Sequence, residues 1–182
     1  MAKINSQIKE GIGTLSKKDL EKLVLRAASM NKQFHDYLII NYFDKSNGEK
    51  DLFEKAKNDL EILFRKPYKG FSEELVLANM LAACGKRINE FSRVCKDKSL
   101  EMDLIMITLE IPFSISTNHF ATCFTRYNYQ VYVLVKKAMG LLRTRLHEDY
   151  YIQYAAKLNN YLEILHRSSS HLDYVYGMPK SV

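Results

Sequence analysis

The stretch FATCFTRYNYQVYVLVKKAMGLLRTRL, residues 120–146, decides the fold. Its apolar side chains fall at Phe120, Phe124, Tyr127, Val131, Leu134, Ala138 and Leu141, in steps alternating between four and three. That spacing lines them up as one stripe on a helix. The opposite face carries Arg126, Tyr129, Gln130, Lys136, Lys137 and Arg143. Just upstream, residues 104–113 are the least polar part of the chain. The two segments read as a central helical pair that the other helices wrap.

Working outward, the same periodicity recurs. Ser16 is placed to cap a helix, with Asp19 reaching back and Leu15 and Leu20 flanking the cap. Leu20, Leu23, Val24, Ala27, Met30, Phe34 and Leu38 then predict one helix running to about Tyr42, closed by the polar run DKSNG at 44–48. A second helix over 49–65 places Phe53, Ala56, Leu60, Leu63 and Phe64 on one side and ends at Pro67 and Gly70. Ser72 caps a third, striped by Leu77, Leu81, Cys84, Ile88 and Phe91. Ser99 is the expected cap of a fourth, which Pro112 should end or kink. Beyond the central helix, Tyr151, Tyr154, Leu158, Leu162 and Leu165 predict a sixth.

The expectation is an all-α chain of about six antiparallel helices, as a bundle or a short αα-stack. Its parts are a flexible arm over 1–13, one helical domain over 14–167, and a tail over 168–182 that either lies against the body through its tyrosines or stays disordered. A chain of 182 residues with only 7 Gly and 3 Pro agrees with one helical domain rather than many short strands.

Two stretches resemble a family of bacterial all-helical proteins catalogued as a domain of unknown function. They are residues 15–43 with the following EKAKNDLEILF run, and EMDLIMITLEIPFSIS at 101–116 before the long helix, with Ser16, Lys32 and Asp103 among the matching polar positions. The link STNHFATCFTRYN departs from the acidic, glycine-containing link of that family. The resemblance implies an α-helical fold and transfers no functional residue.

The three cysteines, Cys84, Cys95 and Cys123, are odd in number, lack metal-ligand spacing and sit among apolar neighbours, so buried free thiols are expected. No secretory signal is legible at the start, and polar residues 114–119 break the stretch from Leu104 to Thr125, whose only charge is Glu110, before it reaches a membrane span. A cytoplasmic protein is expected.

Several constellations bear on chemistry. Glu163 and His166 have the Glu-x-x-His spacing of di-iron bundles, but no other histidine has a glutamate three residues before it. No glycine-rich phosphate loop occurs. Glu110 lies in the most apolar helix, where a buried carboxylate would serve as an acid or base, though no nucleophile accompanies it. No catalytic residue, metal or cofactor is therefore expected.

The surface is more informative. Net charge is +6, and all of the 12 tyrosines except Tyr37, Tyr42 and Tyr68 follow Arg126. Tyrosine and arginine are enriched at binding hot spots and also contact nucleic acids. The expectation is a non-enzymatic interaction module in which Arg126, Tyr129, Lys136, Lys137 and Arg143 face an acidic protein or another copy of the chain. The alternative is nucleic-acid binding, without sequence reading, by the same face.

Overall fold

Asn31 divides what the pattern reads as one helix. In the computed structural model, which describes residues 4–44, 48–123 and 125–182, α1 spans Ser6–Gly13, α2 Lys17–Met30 and α3 Lys32–Leu38, the last running into a π-helical turn over Ile39–Phe43. Asn31 adopts an extended backbone, and its side chain accepts from the Phe34 amide at 3.2 Å. A short polar side chain that can cap offers the backbone an alternative to continuing the helix, and here it wins. Ser16 caps α2 through the Asp19 amide, as expected, while the Asp19 carboxylate takes the Ser16 hydroxyl at 2.6 Å. The arm expected over 1–13 holds α1, capped by Asn5.

The single domain expected over 14–167 divides into two compact units, Met1–Gly48 and Glu49–Val182. In the first, α2 and α3 pack together. The turn expected at 44–48 falls mostly on 45–47, outside the described residues.

The second unit carries α4, Gly48–Arg65; α5, Glu73–Val94; α6, Lys98–Ser114; a 3-10 turn, Thr117–Ala121; α7, Thr125–Thr144; α8, Asp149–Ser169; and α9, Asp173–Tyr176. The chain is all-α, and no strand occurs among the described residues. More than the six expected helices are present because the first is interrupted and both ends add short ones. No helix among the described residues is long and apolar enough to cross a membrane.

Residues 120–146 do not form one continuous helix. Phe120 sits in the 3-10 turn, Phe124 lies outside the described residues, and α7 begins at Thr125. Tyr127, Val131, Leu134, Ala138 and Leu141 are buried, as the stripe demands, and Asn128, Val135, Met139 and Leu142 are buried beside them. This second row widens the covered arc and makes α7 the centre of the unit, packed by α5, α6 and α8. Asp97, not Ser99, caps α6; its carboxylate accepts the Ser99 amide at 2.8 Å and hydroxyl at 2.7 Å. Pro112 is accommodated inside α6, close enough to its end that only the last turn is affected.

Helix directions follow from which residues meet. On α5 and α7, Asn89 meets Lys137, and a Cβ added at Gly85 would lie 4.0 Å from Leu134. The numbers rise together, so these two helices are parallel. On α6 and α8, Asp103 meets Tyr154, Glu110 meets Lys157 and Phe113 stacks on Tyr161, so they are parallel too. The expected antiparallel arrangement holds between chain neighbours such as α7 and α8, where Asn128 meets Ser169, but not between alternate helices. The tail is ordered: Val175 and Met178 are buried, and the Val182 amide donates to Asn159.

Candidate interaction surface

Helix α7 has 20 residues and no carboxylate among them. Its exposed strip runs Arg126, Tyr129, Val133, Lys136, Gly140 and Arg143, again in steps of three and four. Burial of the opposite two rows leaves only this strip for solvent. Arg126 and Lys136 form no ion pair within the described residues, and Arg143 donates to a neutral acceptor, the Ser181 carbonyl, at 3.1 Å. No carboxylate among the described residues pairs directly with these three cations.

Beside it stands an aromatic cluster. Tyr129 and Tyr132 lie one turn apart on α7, and Tyr174 of α9 closes the group with ring centroids 5.8 and 4.9 Å from them. Tyr174 is held there by its hydroxyl, which donates to the Thr125 carbonyl at 3.2 Å. Lys136 donates to Tyr132 Oη at 2.9 Å and sits 5.3 Å over its ring. This contact favours the charged ammonium and raises its pKa. Of the expected binding residues, Arg126, Tyr129, Lys136 and Arg143 share the strip.

Lys137 does not, and this corrects the sequence expectation. Its ammonium turns inward to Glu101 at 2.7 Å and to Asn89 Oδ1 at 2.7 Å. Glu101 is the buried carboxylate among the described residues, 2% exposed, and also holds Lys98 at 2.8 Å. Burial pushes its carboxyl up, but hydrogen bonds from Lys137, Lys98 and Ser92 outweigh that and leave it below the ordinary range. Two cations and a hydroxyl around one carboxylate knit α5, α6 and α7 together. The Lys98-x-x-Glu101 spacing was the available sign of this clasp; the identity of the third partner was not visible in sequence.

On the other side of α7, a groove of about 330 Å³ separates it from α5. Ala82 and Gly85 line it with Gln130 and Val133, while Lys86, Asn89, Glu90 and Arg93 supply its polar lining. Lys86 and Arg93, in the later turns of α5, add two cations to the basic surface.

The remaining constellations stay apart from it. Glu110 is not buried: its side chain is 54% exposed and pairs with Lys157. It faces outward because Leu109 and Met106 take the inner side of α6. It borders a cavity of about 260 Å³ in which Tyr154 donates to Asp103 at 2.6 Å. His119 lies 3.3 Å from Glu74, and the His166 ring lies 3.3 Å from the Pro179 carbonyl. Among the described residues, no group of three or more His, Cys, Asp and Glu is placed to hold a metal ion. Cys84 and Cys95 are buried and their thiols are pushed up to about 12 by that burial, whereas Cys123 is exposed, against expectation. Its place after the 3-10 turn, outside the packed stripe, explains the difference.

No family model, curated protein or solved structure matches the chain.

Proposed function

We propose that this chain is a non-enzymatic interaction module that binds an acidic protein partner through the exposed strip of α7. The observation that carries the reading is the charge of that strip, unpaired among the described residues: Arg126, Lys136 and Arg143 on a helix without a carboxylate, flanked by Tyr129, Tyr132 and Tyr174. Cations without a paired carboxylate steer and orient an acidic partner. Tyrosines offer contact area at small entropic cost.

Nucleic acid is the second reading, since the same residue types serve phosphates and bases. Protein is favoured because the tyrosine rings pack on one another, with centroids 4.9 to 6.1 Å apart. Bases need open aromatic faces to stack on. The resemblance to the helical family of unknown function adds a proposed kinship and no activity.

The test is titration of two labelled probes, a glutamate-rich peptide and a single-stranded oligonucleotide of equal charge, at low and high salt. The peptide is expected to bind more tightly than the oligonucleotide at both salt concentrations, weakening as salt screens the strip. Lys136→Glu with Arg143→Glu should weaken it by about tenfold or more. Unchanged binding in the double variant would remove this surface from the account. A steep salt dependence with the oligonucleotide preferred would transfer the reading to nucleic acid.

A further inference from the structure

Resting on that reading of the α7 face, we infer that the groove between α5 and α7 seats an amphipathic acidic helix of the partner protein. The occupant follows from the shape and charge of the groove. Its lining includes the small residues Ala82 and Gly85, with Val133 39% exposed beside them. Its volume of about 330 Å³ suits one row of side chains rather than a folded element. Two parallel helices bound it, so a third helix can lay a ridge between theirs and add its own apolar seam to the unit.

The α5 rim selects for acid. On α5, Lys86 and Arg93 are seven residues apart, about 10 Å along the helix. On α7 the lining is Gln130 and Val133, both uncharged. Neither Lys86 nor Arg93 forms an ion pair within the described residues. Carboxylates two turns apart on the occupant match the α5 rim, while its apolar seam meets Val133 of α7. Glu90 is the one carboxylate in the lining and falls between Lys86 and Arg93. It fixes the register, because an acidic residue opposite it is repelled. No aromatic ring lines the groove, so it offers nothing for a base to stack on.

The test uses the full chain and a fluorescein-labelled synthetic peptide of about five helical turns, with alanine and leucine along one face and glutamates flanking it. A control of the same composition carries a central proline that breaks the helix. The helical peptide is expected to bind, and the control to bind about tenfold more weakly or worse. Gly85→Leu fills the groove floor without changing charge; a Cβ there meets Leu134 at an ordinary 4.0 Å, the substitution raises helix propensity, and thermal unfolding of the variant checks that the fold is kept. It should weaken the helical peptide by about tenfold or more, with the circular dichroism spectrum unchanged.

The outcomes separate this inference from the reading beneath it. Full binding by Gly85→Leu, together with loss in Arg126→Glu/Lys136→Glu, overturns the groove and leaves the face standing. Equal binding of helical and control peptides overturns a helical occupant. Peptide binding unaffected by any of these variants overturns both, as does preference for a single-stranded oligonucleotide over the helical peptide.

Discussion

Replacing Lys137 by Met removes one of the two cations that hold Glu101, and the cost can be worked from the site. The side chain of Glu101 is 2% exposed, so its carboxylate cannot recover the lost bond from water. Loss of a hydrogen bond to a buried charge costs about 1.5–3 kcal/mol, and outright breaking of a buried pair about 3–5 kcal/mol. Lys98 remains at 2.8 Å, itself held by Ser92 Oγ, so the charge keeps a partner. The lower range applies: a loss of about 2 kcal/mol at neutral pH. Urea denaturation followed by tyrosine fluorescence reads this unit selectively, because only Tyr37 and Tyr42 lie outside it.

The sign of the pH dependence follows from the lowered carboxyl. Glu101 titrates below its unfolded value, so its contribution is present above about pH 4.3 and is lost as pH falls through the folded value. The gap between wild type and Lys137→Met should therefore narrow on acidification below about pH 4.3. A gap under about 0.5 kcal/mol at neutral pH, within the range of ordinary surface changes, would refute the clasp. So would a gap that acid leaves unchanged.

Other outcomes test other parts of the fold. With a thiol reagent at mildly alkaline pH, Cys123 should react at once, while Cys84 and Cys95, raised to about 12, should react only on unfolding; equal rates for all three would contradict their burial. Asp97→Ala should destabilise the unit by about 1 kcal/mol in the same denaturation assay, and Ser99→Ala by less, because Asp97 is the cap. Asn128→Ala should cost about 2 kcal/mol, since its amide donates to the Phe120 carbonyl at 2.8 Å and to Ser169 at 3.1 Å in a fully buried position. Backbone amides of the 3-10 turn should then exchange faster, and unchanged exchange would mean the turn is held by other contacts.

Periodicity made the helical class legible and located the buried row of α7, because burial of one face leaves a repeating mark on the chain. It also located α4 and α5 closely, including the Ser72 cap. It failed where a single polar group decides the local geometry. Asn31 interrupts a stripe that continues unbroken through Phe34 and Leu38, and Asp97 takes the cap from Ser99 two residues on. The basic strip was legible for the same reason as the core, being its complement on one helix. Lys137 was misassigned because the pattern of α7 alone cannot show that a carboxylate from α6 is buried within reach. That the tail's tyrosines lie against the body was legible as one alternative, but not that Tyr174 joins Tyr129 and Tyr132, nor the α5 rim, because sequence separates by tens of residues what packing joins.

The Thr117–Ala121 turn has a role larger than its length. Its Phe120 carbonyl accepts from Asn128 of α7 and Ser169 of α8, its His119 meets Glu74 of α5, and the Phe120 ring sits 5.5 Å from Phe113 of α6. Four long rods are thus riveted at one short corner. Loosening that corner should slacken all of them together, so its slowest amides should exchange at the pace of whole-unit unfolding rather than of local fraying.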